Sequence, residues 1–166
     1  MKAIFERRSI RKYINQPISE EQLKNLLHAA MSAPSAGNEQ PWEFVVITER
    51  EILDSIQEIH PYSHMLKEAP AAILVCGDLR RERHAGFWVQ DCSAAAENLL
   101  IAAQDMGLGA VWLGVYPDPE RVEKFRNKFA LPKEVVPLCL VPVGVPAEIK
   151  TTASRYKEDR VHNNGW

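Results

Sequence analysis

The stretch AGFWVQDCSAAAENLLIAAQDM, residues 85–106, decides the fold of this chain. It predicts the longest helix, and the glycine directly after it, Gly107, is typical of a helix C-terminus. Alanines cluster at residues 94–96 and 102–103, and such small side chains allow close packing against other backbones. We therefore expect this helix to be the central, buried helix of the molecule.

The rest of the chain predicts an α+β layered fold around that helix. Strands are predicted at residues 42–47, 71–77, 110–115 and 137–145. Helices are predicted at residues 2–8, from a Ser19–Gln22 capping box to about 33, from a Thr48–Glu51 capping box to about 59, and from Asp118-Pro119 to about 129. Pro142 interrupts the last strand, which indicates an edge strand or a bulge. The first helix precedes all the strands, so a doubly wound sheet fits less well.

Length and composition predict one domain spanning residues 1–166, with 46% apolar residues to build its core. The net charge of −2 argues against general nucleic-acid binding. We expect no secretory leader and no membrane anchor, because the apolar stretches are short. Three cysteines without a CxxC pair indicate buried thiols and a cytoplasmic location.

A basic motif, Arg7-Arg8-Ser9-Ile10-Arg11, stands out in a chain with 22 acidic and 20 basic residues. Guanidinium groups bind phosphate in a planar, bidentate way, and a hydroxyl adds another donor. Taken alone, an exposed turn that promotes solubility explains such a motif more often. The motif becomes informative only together with other parts of the chain.

Two further segments suggest a binding site. The loop at residues 34–42 combines small residues, which allow a flat ligand to approach, with the amides of Asn38 and Gln40. The polar end of the chain carries Ser154-Arg155 and Arg160. Together with the basic motif, these segments indicate a site that holds an anion and hydrogen-bonds a planar ring.

Other kinds of site are disfavoured. The P-loop and dinucleotide-binding fingerprints are absent, since Gly107-Leu108-Gly109 lies between a helix and a strand and is followed by Trp112. His60 and His64 are separated by Pro61, which disfavours a shared helical face and hence a metal site there.

Taken in order, these motifs resemble the FMN-dependent nitroreductase family over nearly the whole chain. The matching segments are residues 7–13, 34–38 with 40–42, 88–91, 107–109 with 112–114, and 154–155. The resemblance implies a three-layer sandwich with a central, mostly antiparallel sheet flanked by helices. It also implies a homodimer with FMN at the interface, in which residues 146–166 are exchanged and pack on the partner subunit.

The resemblance assigns the cofactor contacts residue by residue. The cofactor-binding residues it implies are Arg7, Arg8, Ser9, Arg11, Pro34, Ser35, Ala36, Asn38, Gln90, Leu113, Gly114, Arg155 and Arg160. Many larger members carry Lys-Ser-Arg in the tail, whereas here Ala153 precedes Ser154-Arg155. Arg160 is the candidate replacement for the missing cation.

The resemblance implies an enzyme in which NAD(P)H reduces FMN and a small electron-poor acceptor, such as a nitroaromatic or quinone, reoxidises it by a ping-pong mechanism. Because a flavin carries this chemistry itself, no catalytic acid or base is assigned. Trp42, Phe87 or Trp112 is expected to bound the acceptor, unless these rings pack in the core. Dehalogenase or flavin-fragmenting chemistry and a non-catalytic flavin-binding protein remain alternatives. No motif selects NADH or NADPH.

Overall fold

The computed structural model describes residues 1–152 and 154–166, so Ala153 and the tail departure noted there lie outside the described residues. Within those residues the chain forms five α-helices and five strands. The helices are Lys2–Glu6 (α1), Glu20–Met31 (α2), Arg50–Ser55 (α3), Trp88–Asp105 (α4) and Pro119–Lys128 (α5). The strands are Trp42–Ile47 (β1), Ala71–Asp78 (β2), Gly109–Ala110 (β3), Leu113–Gly114 (β4) and Val135–Gly144 (β5).

The strands form one antiparallel sheet. Strand β2 lies between β1 and β5, and β5 pairs on its other side with the short strands β3 and β4. A single parallel bridge joins Ser9 to Ala110 of β3, which places the basic motif against the sheet. The predicted α+β fold with a mostly antiparallel sheet is confirmed.

The sheet is covered on both faces. Alternate residues of β2, beginning at Ala71, pack with α2 and α4, and the intervening ones, beginning at Ala72, pack with α3 and α5. Helix α4 crosses the first face and buries Cys92, Ala95, Ala96, Leu99 and Ala103. The three-layer arrangement and the central position of the alanine-rich helix are therefore as predicted.

Of the three predicted N-terminal caps, two are confirmed and one is not. Ser19 and Gln22 form the reciprocal capping box at α2, and Asp118 accepts the Arg121 N–H at 3.1 Å at the start of α5. The predicted capping box at Thr48 is wrong, because the chain stays extended until Glu49 occupies the N-cap. Glu51 is then at position N2, one residue before the N3 position from which a side chain accepts the N-cap N–H in a capping box.

The two helices nearest the candidate site are shorter than predicted. Helix α4 begins at Trp88, because Gly86 has a φ of +91° that interrupts helical geometry. The Glu82 carboxylate accepts the N–H groups of Gly86 and Trp88 at 2.9 and 3.0 Å, which caps the helix start. Helix α1 ends at Glu6, since Arg7 has a ψ of 131°.

Pro142 was expected at an edge or a bulge, but it lies in β5, which has a neighbouring strand on each side. The Val111 N–H donates to the Pro142 carbonyl, so the proline nitrogen faces the break between β3 and β4, where no ladder partner is needed. The break also divides the predicted strand at 110–115 into two. The bulge lies elsewhere, between Val75 and Cys76 opposite Leu138.

No helix within residues 1–152 and 154–166 combines the length and apolar character needed to cross a membrane.

Candidate functional site

A cavity of about 580 Å³ brings the two basic ends of the chain together. The residues that line it include Arg7 and Arg8 after α1, and Ser154 and Arg155 of the tail. Three arginines therefore line one cavity, although they come from opposite ends of the sequence. Such a cluster suits a phosphate group, which accepts bidentate hydrogen bonds from arginine.

The two neighbouring arginines of this cavity are held in different ways. The Arg7 guanidinium lies 3.5 Å from the Glu97 carboxylate of α4. Arg8 instead donates to backbone carbonyls, through Nε to Thr151 at 3.0 Å and through Nη1 to Arg7 and Phe5 at 2.8 and 3.2 Å. Arg8 thus ties the tail to the basic motif.

Two residues near the start of the segment at 146–166 hold the backbone of the basic motif of the same chain, and sequence reasoning missed both. The Arg11 N–H donates to Glu148 Oε1 at 2.6 Å, and Lys150 Nζ donates to the Ser9 carbonyl at 2.6 Å. The Arg11 N–H is the main reason why the pKa of Glu148 lies below its usual value. The only available signal was that opposite charges stand together at 148 and 150.

A second cavity, of about 310 Å³, contains the Arg11 side chain and the predicted ring contacts Leu113 and Gly114 of β4. Its other lining residues are His60, Tyr62, His64, Trp112 and Arg121. His60 was considered only as a metal ligand, yet its ring Nε2 lies 3.1 Å from the Gly114 carbonyl. Within the described residues no group of three or more His, Cys, Asp or Glu side chains could hold a metal ion.

Gly114 is a glycine that the folded chain itself does not explain. A Cβ added at Gly77 would lie 2.4 Å from Trp88, and one at Gly109 would lie 2.7 Å from Ile10. At Gly114 a Cβ would meet nothing within 4 Å, and the backbone does not have the positive φ that favours glycine. A glycine in a strand with open space before it suits the close approach of a ligand.

A third cavity, of about 350 Å³, holds the predicted contacts Pro34, Ser35, Ala36 and Gln90. Its lining residues also include Phe87, Asp91 and Ala94. Asp91 of α4 is buried and accepts the Ala36 N–H at 3.0 Å, so the central helix holds the loop in place. Asp91 lay inside a recognised motif, but its role became visible only through this contact.

The loop beyond this cavity is organised by its own polar side chains. Ser35 Oγ accepts the Gln40 N–H at 3.0 Å, and Asn38 Oδ1 accepts from Gln40 Nε2 at 3.0 Å. Asn38 itself is exposed and lines none of the three cavities. Its predicted cofactor contact stays a prediction.

The structure also shows which of the other sequence-predicted residues line a cavity and which do not. Trp42 is wrong as a candidate to bound an acceptor, because it packs in the core with only 7% exposure. Phe87 and Trp112 each line a cavity. Arg160 lies in an exposed turn of the tail and lines none of the three cavities.

The three cavities share no lining residue within one chain. The first offers three cations, the second an open backbone with a nearby arginine, and the third a loop of small residues. Each offers one part of the site that the sequence predicted for a phosphate-bearing planar ligand.

Comparisons with known proteins agree on one family. The model of the nitroreductase family matches residues 4–60 and 58–145. A protein of Methanothermobacter thermautotrophicus, provisionally named NADH dehydrogenase/NAD(P)H nitroreductase, is 49% identical over 166 residues, which cover 100% of this chain and 87% of that protein.

Two solved structures extend the likeness to the fold. The FMN-dependent nitroreductase of Clostridium difficile R20291 matches with a TM-score of 0.92 at 28% identity, covering 100% of both chains. A provisionally named nitroreductase of Desulfovibrio desulfuricans, solved in complex with FMN, matches with a TM-score of 0.86 at 30% identity, covering 99% of this chain and 96% of that one.

Proposed function

Because the chain belongs to the nitroreductase family, we propose that it is an FMN-dependent oxidoreductase that uses NAD(P)H. The acceptor we propose is a small electron-poor molecule, such as a nitroaromatic or a quinone, reduced in ping-pong order. The observation that carries this proposal is the meeting of Arg7, Arg8 and Arg155 in one cavity. The bound-FMN neighbour and the name of the Methanothermobacter relative support it.

The residues present fit FMN. Its phosphate needs cations and hydrogen-bond donors, which the cavity with three guanidinium groups supplies. Its flat ring needs a surface that no side chain blocks, and the backbone at Gly114 faces open space. When bound, FMN supplies the hydride and electron chemistry that the side chains of this chain lack.

In this proposal the protein binds and orients. Arg7 and Arg155 hold the phosphate, and Arg8 keeps the tail beside them through Thr151. Arg11 lies in the Gly114 cavity, where its charge would stabilise negative charge that develops on a bound ring. Phe87 or Trp112 would bound the acceptor, since both line a cavity next to predicted cofactor contacts.

We also propose that the functional unit is a homodimer with FMN at its interface, completed by the partner's loop at residues 34–38. Support comes from the tail, where Tyr156, Val161 and Trp166 are all exposed on the isolated chain. Exposed apolar side chains grouped in one segment are typical of an interaction surface. The three free, buried cysteines support a cytoplasmic location.

The visible absorbance spectrum of the purified protein tests the cofactor, and NAD(P)H oxidation with a nitroaromatic or quinone tests the reaction. We expect flavin bands that either reductant bleaches and that the acceptor restores. A protein that cannot be loaded with FMN would contradict the cofactor assignment. A protein that holds FMN but is bleached by neither NADH nor NADPH would instead be a non-catalytic flavin-binding protein. Turnover of halogenated or flavin substrates only would indicate the dehalogenase or flavin-fragmenting alternative.

A further inference from the structure

His60 is a buried histidine whose two ring nitrogens both bind backbone. The Tyr62 N–H donates to Nδ1 at 3.3 Å, so Nδ1 must be the unprotonated nitrogen. The proton of the neutral ring therefore lies on Nε2, which donates to the Gly114 carbonyl at 3.1 Å. This pairing fixes the tautomer and connects the segment after α3 to strand β4.

A second donor reaches the same carbonyl. Arg121 of α5 donates from Nη1 to the Gly114 oxygen at 2.7 Å, while its Nη2 lies 3.2 Å from Asp118. Both lone pairs of the Gly114 carbonyl are thus occupied, one by a neutral donor and one by a cation. The two donors come from different elements, His60 from the segment after α3 and Arg121 from α5.

The peptide that follows Gly114 is also held at its other end. Its N–H, which belongs to Val115, donates to the Leu138 carbonyl of β5 at 3.0 Å. The plane of this peptide therefore cannot rotate without breaking three hydrogen bonds. Gly114 has no side chain to steady it and faces open space where a Cβ would lie, so these bonds, together with the pairing of β4 with β5, set the direction of that surface.

We propose that His60 and Arg121 are positioning residues for the cofactor, which hold the Gly114 carbonyl and so orient the backbone surface on which the flavin ring packs. This inference rests on the proposed FMN function. Both residues line the same cavity as Gly114, and the role proposed for them is exerted through its carbonyl. Sequence motifs assign the role to neither of them.

Two substitutions of His60 separate its two hydrogen bonds. His60→Gln can place an amide N–H near the position of Nε2 and keep the donor to Gly114. His60→Asn is too short to reach Gly114 but keeps an acceptor near Nδ1. Losing one such hydrogen bond corresponds to about a three- to tenfold change in an equilibrium constant. We therefore expect His60→Asn to raise the Kd for FMN three- to tenfold and His60→Gln to stay within about twofold.

The measurements are the Kd for FMN, from titration of the apoprotein, and the visible absorbance spectrum of the bound FMN. We expect the bands of bound FMN to shift in His60→Asn and to stay at wild-type positions in His60→Gln. His28→Gln, which replaces an exposed histidine of α2, is the control and should match wild type in both.

Arg121→Met removes the other donor and keeps the test decisive if His60→Asn fails to fold. We expect a raised Kd for FMN in the same direction, and a double variant that departs from the product of the single effects, because both donors serve one carbonyl. Variants with lower melting temperatures but wild-type FMN affinity and spectrum would overturn the positioning role. Wild-type protein that binds no FMN would contradict the proposed function as well, which distinguishes the two failures.

Discussion

The arginines that line the first cavity, which is the proposed phosphate site, differ in how many hydrogen-bond donors they keep free. Arg8 has its Nε and Nη1 donating to backbone carbonyls, whereas Arg155 lies exposed at the cavity edge. Arg7 faces Glu97 across 3.5 Å but keeps further guanidinium donors. The proposed phosphate site therefore combines a structural arginine, Arg8, with two arginines proposed to bind, Arg7 and Arg155, a division that the sequence alone does not reveal.

We expect Arg155→Ala and Arg7→Ala each to weaken FMN binding by about 1.5–3 kcal/mol, or roughly 10- to 150-fold in Kd, because each removes a charge-assisted hydrogen bond to the phosphate. Fluorescence titration of the apoprotein with FMN measures this. Arg83→Ala, which removes an exposed arginine outside the three cavities, is the matched control. Wild-type affinity in both test variants would remove the phosphate role.

The pKa of His60 provides a pH-dependent prediction. Burial is the main reason why the pKa of His60 lies below 6.5. The hydrogen bond to the Gly114 carbonyl raises this pKa, Arg121 lowers it and Asp118 raises it, and the net direction is downward. The unfolded chain therefore takes up the proton more readily, and stability is lost as the pH falls below about 6.5. His60→Gln should flatten that part of the stability curve.

Chemical denaturation of the apoprotein between pH 7.5 and 5 (roughly the range in which a histidine titrates) measures this effect. The pKa of Glu148 is lowered from 4.5 and that of Asp78 from 3.8, so their losses of stability begin at lower pH and do not overlap with the histidine range. An unchanged slope in His60→Gln would show that another group titrates.

At the scale of elements, the sequence predicted the features that adjacent residues determine. It missed those that depend on which strands lie side by side in the sheet. The Ser19 capping box, the Asp118 cap and strand β1 follow from adjacent residues and are confirmed. The place of β5 inside the sheet depends on which strands flank it, and Pro142 is tolerated only because β3 and β4 leave a break opposite it. Long-range pairing of this kind has no signal in a single strand.

The residues of the candidate site likewise fall into those that the sequence could predict and those that it could not. The basic motif and the loop at 34–42 could be recognised from their residue types. The contacts of Glu148, His60 and Arg121 could not, because each joins elements that are far apart in the chain. Side-chain hydrogen bonds to a backbone far away in the chain leave no pattern in the sequence.

Strand β2 and helix α4 are packed too closely to accept a side chain at Gly77. The added Cβ of Gly77→Ala would lie 2.4 Å from Trp88 Cε3, so the indole or the strand must move. Overpacking of this kind costs about 1–3 kcal/mol. Thermal or urea unfolding of the apoprotein should show this loss, and wild-type stability would mean that Trp88 moves aside easily.

Glycine to alanine at Gly114, in strand β4, should leave the stability of the apoprotein unchanged and instead weaken FMN binding. Gly114→Ala meets nothing within 4 Å, so we expect the free energy of unfolding of the apoprotein to change by less than about 0.5 kcal/mol. FMN affinity should nevertheless fall, because the methyl group would occupy the space proposed for the ring. Unchanged FMN binding in Gly114→Ala would place the ring elsewhere.

At the scale of the whole molecule, no single cavity on one chain combines the arginines, Gly114 and the loop at 34–38. The proposed homodimer would bring the loop at 34–38 of one subunit beside the arginines and Gly114 of the other. The exposed side chains of the tail, which include Tyr156 and Trp166, form the surface proposed to contact the other subunit.

A chain that ends at Thr152 keeps the Arg8–Thr151 hydrogen bond but lacks these apolar side chains. We expect it to dissociate to monomers at concentrations where the full chain is dimeric, since it loses the proposed contact surface. Sedimentation equilibrium measures the change. Arg155→Ala in the full chain is the matched control, because it removes a phosphate contact but leaves the surface. Equal association of the truncated and full chains would contradict an exchanged tail.

Because the first cavity joins the basic motif to the tail, a shortened chain can contain the whole sheet and still lack part of this cavity. The last strand of the sheet is complete at Gly144, whereas the phosphate cavity needs Arg155. A product that stops between these two points would therefore carry every strand of the sheet but only two of the three arginines of the first cavity. We expect such a product to retain bound FMN less well than the full chain, so that its preparations are paler.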